Sequence, residues 1–277
     1  MIRIENIKNF DLDETVTCGQ IFRFEKELDG SYTIILIDRV INVKYEDEVL
    51  IVESNNEEDL TNVVIKYFDL ERDYSSINNI LIEKDSSLKE IVDSCRGLKM
   101  INSYPFETII SYIISANNSV SSIKKSVDKI SELYGQSCFF RGKQYCLFPT
   151  PEQLRDVTAD DFRKCSVGFR DKYIEAMVRV VNNDIAYLDK FITMDTISSF
   201  ELLQKEKGIG QKVASCILIF AYQKFDVFPI DTWVKKVMKD KYQIQGEKNI
   251  RTKAKAIYGE YSGIAIQYMF HYGRNIK

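Results

Sequence analysis

Residues 207–231 constrain what this chain can become more tightly than any other stretch. Gly208 and Gly210 bracket a single apolar residue, a spacing that suits a tight turn needing positive φ or close backbone approach. Val213 to Tyr222 is almost wholly apolar and predicts a helix buried on most sides. Lys212 falls in its first turn. Burial disfavours a charged ammonium there, and the positive end of the helix dipole repels it, so both effects favour the neutral, nucleophilic amine. Cys216, four residues on, shares its face. The helix is expected to end near Gln223, and Phe228-Pro229-Ile230 must run extended because proline restricts the residue before it. Asp231 then precedes a second helical pattern from Thr232 to Met238, where it is placed to act as N-cap.

Taken singly, each piece has an ordinary reading: a turn, a solvated lysine, a small buried thiol, a helix cap. Together they form a glycine hairpin, a lysine just after it, and a Pro-x-Asp motif whose aspartate lies nineteen residues beyond the lysine. That combination resembles the helix-hairpin-helix, Gly/Pro-Asp superfamily of base-excision DNA glycosylases. The Gly-Ile-Gly-Gln-Lys-Val-Ala-x-Cys form is similar to its 8-oxoguanine DNA glycosylase branch. The resemblance implies that Lys212 is the Schiff-base nucleophile and Asp231 the second catalytic residue, with Gly208 and Gly210 at the DNA backbone.

The rest of the chain fits an α+β plan. Through residue 55 the pattern reads as antiparallel strands, with Phe22 and Phe24 alternating, Asp29-Gly30 as a hairpin signal and Tyr32 to Ile37 returning. Glu57 to Phe68 and Leu88 to Cys95 read as helices, and Arg96-Gly97 as a boundary. The expected domains are therefore a sheet-bearing unit over 1–98 and a helical unit over 99–277, the hairpin falling at 207–211. In the second, Pro105 opens a helix that Asn117-Asn118 interrupts, Ser121 to Tyr134 is the next, and Thr150 and Thr158 look like helix starts.

Composition narrows the class. Six cysteines show no Cys-x-x-Cys pair, and none follows Cys216, so neither a zinc site nor the iron–sulfur cluster of some superfamily members is expected. The single histidine excludes histidine-rich metal chemistry. No metal side-chain ligands and no cofactor are expected, although hairpin carbonyls could hold a structural cation as in the family. No apolar run is long enough to span a membrane, and no signal peptide opens the chain, which points to a reduced, cytoplasmic enzyme, monomeric on double-stranded DNA. A net charge of −3 argues mildly against a nucleic-acid partner. Lysines and arginines nevertheless crowd residues 235–255, while acids cluster in the N-terminal part.

The resemblance also assigns roles outside the hairpin. Gly19 matches the glycine whose carbonyl senses the N7 hydrogen of 8-oxoguanine, and Cys216 and Phe270 match the residues that sandwich the flipped base. Asn117 matches the asparagine that fills the vacated stack; Phe169 and Arg170 match the wedge and the arginine beside it. Two positions depart from the pattern. Ile266 replaces a glutamine that reads the base edge; Gln267 is next door, but one residue on a helix turns a side chain by roughly 100°. Ser122 stands where the eukaryotic members carry an arginine that recognises the opposite cytosine. A glycosylase for alkylated purines and a non-catalytic helix-hairpin-helix module are the rival readings. Cys216 with Gly19 argues against the first, Lys212 with Asp231 against the second.

Overall fold

The structure, a computed structural model, describes residues 1–275. Strands β1 (Ile2–Ile4), β2 (Phe24–Lys26), β3 (Tyr32–Ile35), β4 (Val40–Glu46) and β5 (Val49–Ser54) form one antiparallel sheet in the order β1-β5-β4-β3-β2. Alternate residues Tyr32, Ile34, Ile41, Val43, Leu50 and Val52 are buried in one cluster with Leu60 and Val64 of α2 (Leu60–Tyr67). The expected continuous run of strands is broken by a short helix (Leu12–Thr17), here α1. The acids read as a charged cluster are its start signal: the Asp11 carboxylate accepts from the Glu14 N–H at 2.9 Å, and Asp13 and Glu14 occupy the first turn. Likewise Cys18 to Phe22 is a turn with Gly19 at φ +85°, and only Phe24–Lys26 pairs as strand.

A helix over Tyr74–Lys84 (α3), opened by Asp73 accepting from the Ser76 N–H at 3.0 Å, was not foreseen from its polar Ser-Ser-Ile-Asn-Asn start. With α4 (Lys89–Ser94) it packs on the helical part of the molecule, which comprises α5 (Pro105–Ser115), α6 (Val120–Tyr134), α7 (Ala159–Lys164), α8 (Asp171–Asn183), α9 (Tyr187–Thr193), α10 (Thr196–Gln204), α11 (Gln211–Tyr222), α12 (Thr232–Tyr242), α13 (Glu247–Tyr258) and α14 (Ser262–Asn275). Hydrogen bonds from the Tyr258 hydroxyl to Asp85 and from the Tyr268 hydroxyl to Asn78 tie the two parts together. A small hairpin, β6 (Ser137–Phe140) with β7 (Lys143–Cys146), interrupts the helices, turning at Arg141-Gly142 where both φ angles are positive. Thr158 opens α7 with a capping box closed by Asp161; Thr150 makes only a turn with Gln153.

The buried pair α5 and α11 forms the floor of the site. Tyr112 of α5 and Phe220 of α11 stack with centroids 5.5 Å apart and planes at 14°. Across from them α14 lies close on α12 because Gly273 has no side chain: a Cβ there would stand 3.0 Å from Val237. Two helix starts and one helix face thus converge beside the Gly19 turn.

Candidate active site

The hairpin is built as its glycines require, each for a different reason. Gly208 has φ +87°, and a Cβ on it would lie 2.7 Å from the Tyr173 side chain, so both conformation and packing exclude other residues. Gly210 has ordinary φ and open space around it; it is the N-cap of α11 and contributes no capping side chain. Lys212 follows in the first turn. Its Nζ sits 5.3 Å from the Tyr112 ring centroid, a cation–π contact. Asp231 caps α12, its carboxylate accepting from the Val234 N–H at 2.8 Å.

These elements enclose one cavity of about 60 Å³ lined by Gly19, Tyr112, Lys212, Cys216, Asp231 and Phe270. It is far below the roughly 300 Å³ lower end of small-molecule pockets, so the walls must part to admit a base. Gly19 packs directly on Phe270 at one side of it, since a Cβ on Gly19 would stand 3.2 Å from the Phe270 ring edge, and Cys216 of α11 lines it as well. Burial raises the Asp231 carboxyl above the ordinary carboxylate range, against the opposing pull of the Val234 N–H and Lys212. Burial also pushes the Cys216 thiol up, with Lys212 acting the other way, so Cys216 is a neutral wall. Sequence reasoning missed Tyr112, whose only signal was an aromatic hydroxyl inside an otherwise aliphatic helix. A larger cavity, about 390 Å³, lies on the other side of Tyr112 against the sheet, and neither Lys212 nor Asp231 lines it.

The other expected contacts lie at a second place. Asn117 breaks the chain between α5 and α6 with φ +53° and is exposed; Phe169 is 61% exposed. Arg170, expected on the DNA-facing surface, is only 6% exposed. Its guanidinium donates from Nε to the Ala116 carbonyl at 3.0 Å, from Nη1 to Val167 at 3.0 Å and from Nη2 to Asn117 at 3.1 Å, and it stacks 4.4 Å from the Phe169 ring centroid. Ser122 is exposed in the first turn of α6, its hydroxyl 2.9 Å from that of the capping Ser119. Part of the basic run is internally paired: Lys235 with Glu247, Lys241 with Glu90, and Arg251 on the Phe228 carbonyl.

Among the described residues no three His, Cys, Asp or Glu side chains cluster to hold a metal, and no helix is long and apolar enough to cross a membrane. Residues 2–109 match the family model for the 8-oxoguanine DNA glycosylase N-terminal domain, and residues 110–259 that for the HhH-GPD superfamily of base excision DNA repair proteins. The chain belongs to the 8-oxoguanine glycosylase branch of this superfamily. A probable N-glycosylase/DNA lyase of Methanothermobacter thermautotrophicus is 30% identical, over 97% of this chain and 95% of that protein. The N-glycosylase/DNA lyase of Saccharomyces cerevisiae is 28% identical, over 89% of this chain and 73% of that one. Among solved structures, the 8-oxoguanine glycosylase/lyase of Clostridium acetobutylicum, bound to double-stranded DNA with cytosine opposite 8-oxoguanine, superposes with a TM-score of 0.94 at 38% identity, covering 98% of this chain and 94% of that one. A 3-methyladenine DNA glycosylase of Archaeoglobus fulgidus, at 22% identity and a TM-score of 0.84, shares the fold.

Proposed function

We propose that this branch member excises 8-oxoguanine from duplex DNA and then nicks the strand, with Lys212 as nucleophile. The observation that carries the reading is the single cavity in which a lysine and a buried carboxylate meet the Gly19, Cys216 and Phe270 walls. A base inside a duplex is out of reach, so the nucleotide must be flipped into this cavity at a cost of a few kcal/mol. Asn117 and the exposed Phe169 ring fill the gap it leaves. The hairpin, with Ile209 buried and no side chain on Gly208 or Gly210, brings backbone N–H groups to phosphate.

As the C1′–N9 bond breaks, its electron pair leaves with the base, which is protonated, and positive charge develops on the sugar. The Asp231 carboxylate stabilises that charge. The neutral Lys212 Nζ bonds to C1′ and gives up one of its two protons, which balances the one taken up by the leaving base; opening of the sugar ring, with O4′ taking up a proton, leaves a protonated imine that acts as the electron sink for the next step. Loss of a C2′ proton then expels the 3′ phosphate, and water releases the enzyme. Ser122, short and turned toward Ser119, supports a further element of the reading: weak preference for the base opposite the lesion. The hairpin carbonyls remain the place for a structural cation, and the protein acts as a monomer on DNA.

The test is borohydride trapping on an 8-oxoguanine duplex. Wild type should give a covalent adduct, and Lys212→Gln should bind the duplex but give none. An undiminished adduct in Lys212→Gln removes the nucleophile assignment; no adduct from wild type removes the substrate.

A further inference from the structure

Gly19 and Phe270 meet in direct contact at the cavity, yet they belong to segments about 250 residues apart in the chain. A row of three polar side chains on α14 joins the two segments. Gln267, His271 and Arg274 recur at spacings of four and three, so they share one face of the helix, turned toward α1 and the Gly19 turn. Each ends on that segment. Gln267 Nε2 donates to the Cys18 carbonyl at 3.0 Å, and Arg274 Nη2 donates to the Thr17 carbonyl at 2.7 Å. His271 Nε2 pairs with the Glu14 carboxylate. Gln267 and His271 are 6% and 3% exposed, so these contacts are dry and costly to leave unmade. From the other side the Gln20 amide bonds the Lys99 carbonyl at 2.7 Å and the Ile101 N–H at 2.9 Å, which fixes the far end of the turn.

We propose that Gln267, His271 and Arg274 are positioning residues that fix the Gly19 turn against α14, and so set how closely that turn approaches a base held on the Phe270 ring, and through it the selectivity for the oxidised over the unmodified purine. The inference rests on the reading that this cavity takes 8-oxoguanine. The oxidised base presents N7–H to the wall, whereas guanine presents an N7 lone pair. A carbonyl at hydrogen-bond distance attracts the first and repels the second, and both effects fade as the wall moves back. Selectivity is therefore a matter of fractions of an ångström, and α14 is the element that measures them. Ile266 and Gln267 both line the cavity, but Gln267 does not substitute for the base-reading glutamine lost at Ile266, because its amide N–H is committed to the Cys18 carbonyl.

The experiment compares two substrates in the same protein under single-turnover conditions. A duplex carrying 8-oxoguanine needs the Gly19 turn correctly placed; one carrying a preformed abasic site needs Lys212 but no base pocket. Arg274→Met and His271→Leu should each lower 8-oxoguanine excision roughly tenfold while abasic-site nicking stays within about twofold. Arg274→Lys, which keeps a donor for the Thr17 carbonyl, should recover most of the loss, and trace excision of guanine should rise relative to the lesion in Arg274→Met. Equal loss on both substrates, or unchanged lesion excision in both variants, would overturn the proposal. Wild-type protein that nicks the abasic duplex but ignores 8-oxoguanine would instead overturn the substrate reading on which it rests.

Discussion

The two ends of the site are built on opposite plans. At the base pocket every wall is braced: Gly19 by α14 and the 99–101 segment, Lys212 over Tyr112, Asp231 by the amide it caps. At the gap-filling end Asn117, Phe169 and Ser122 stand in solvent, and one buried arginine holds the loop from behind. The pocket side chains are held by internal contacts, and its walls must part only to admit a base. The other end exposes its side chains, with Phe169 backed by the Arg170 guanidinium and the Ser122 hydroxyl held by Ser119. On the proposed function, lesion choice and opposite-base choice are separable, and substitutions at the two ends should behave differently.

The largest effect is expected at Asp231. Asp231→Asn keeps the cap, since asparagine caps about as well as aspartate, but removes the charge. Excision should fall on the order of a hundredfold to a thousandfold. The stability change has a definite sign. The carboxyl is raised by burial, so the folded protein holds this proton more tightly than the unfolded chain does, and its ionisation costs stability as pH rises through the interval between the two values. Asp231→Asn should therefore melt at or above wild type at neutral pH and lose that advantage in acid. Wild-type excision should decline as pH falls through the raised value, and this limb should be missing from the residual activity of the variant. Melting curves and pH–rate profiles on both proteins check each part; a variant that melts much lower at pH 7 would show that the cap, not the charge, dominates.

A smaller effect, and a different one, is expected at Arg170. If the arginine braces the Asn117 loop, Arg170→Lys cannot span the Ala116, Asn117 and Val167 carbonyls at once, although it keeps the charge. Excision should drop roughly tenfold to a hundredfold against all four opposing bases together, with a lower melting temperature. A loss confined to the cytosine duplex would mean that the guanidinium swings out and reads the base, and the contrast between the two ends would narrow.

How much of this was legible in the sequence follows the same division. Lys212, Asp231 and the hairpin could be read because local spacing places them: a turn, a helix start and a cap each leave a signal within a few residues. Their meeting with Gly19 and Phe270 could not be read from spacing, because it depends on α14 lying against α1 across nearly the whole chain; only the family likeness anticipated it. Tyr112 was hidden by its neighbours, since a tyrosine among isoleucines looks like core until Lys212 is seen above its ring. The burial of Arg170 was also out of reach: nothing in Gly168-Phe169-Arg170 tells a solvent-facing arginine from one that satisfies carbonyls of a loop more than fifty residues away. Helix α1 was the avoidable miss. Asp11 with Glu14 three residues on is a start signal, and it was read as charge alone.

The smallest effect, and the one that most sharpens the comparison, is a gain at Ser122. The exposed first turn of α6 stands next to the Asn117 break, so a long side chain there can extend toward the strand opposite the lesion, which the serine hydroxyl, engaged with Ser119, cannot. A good bidentate contact to a base edge discriminates by about 1–3 kcal/mol. A single arginine grafted onto an exposed helix start, with no supporting neighbours to hold its rotamer, should reach only the lower end, about fivefold to tenfold. Ser122→Arg should therefore raise the preference for cytosine over adenine, guanine and thymine by that factor without changing abasic-site nicking, because the pocket end is untouched. The measurement is single-turnover excision from four duplexes that differ only in the opposing base, in both proteins. Strong cytosine preference in wild type would show that discrimination is already supplied at this end, by Asn117 or by a mobile Arg170. An arginine variant no more selective than wild type would show that the serine is not what relaxes the choice, and the looseness would then belong to the loop as a whole.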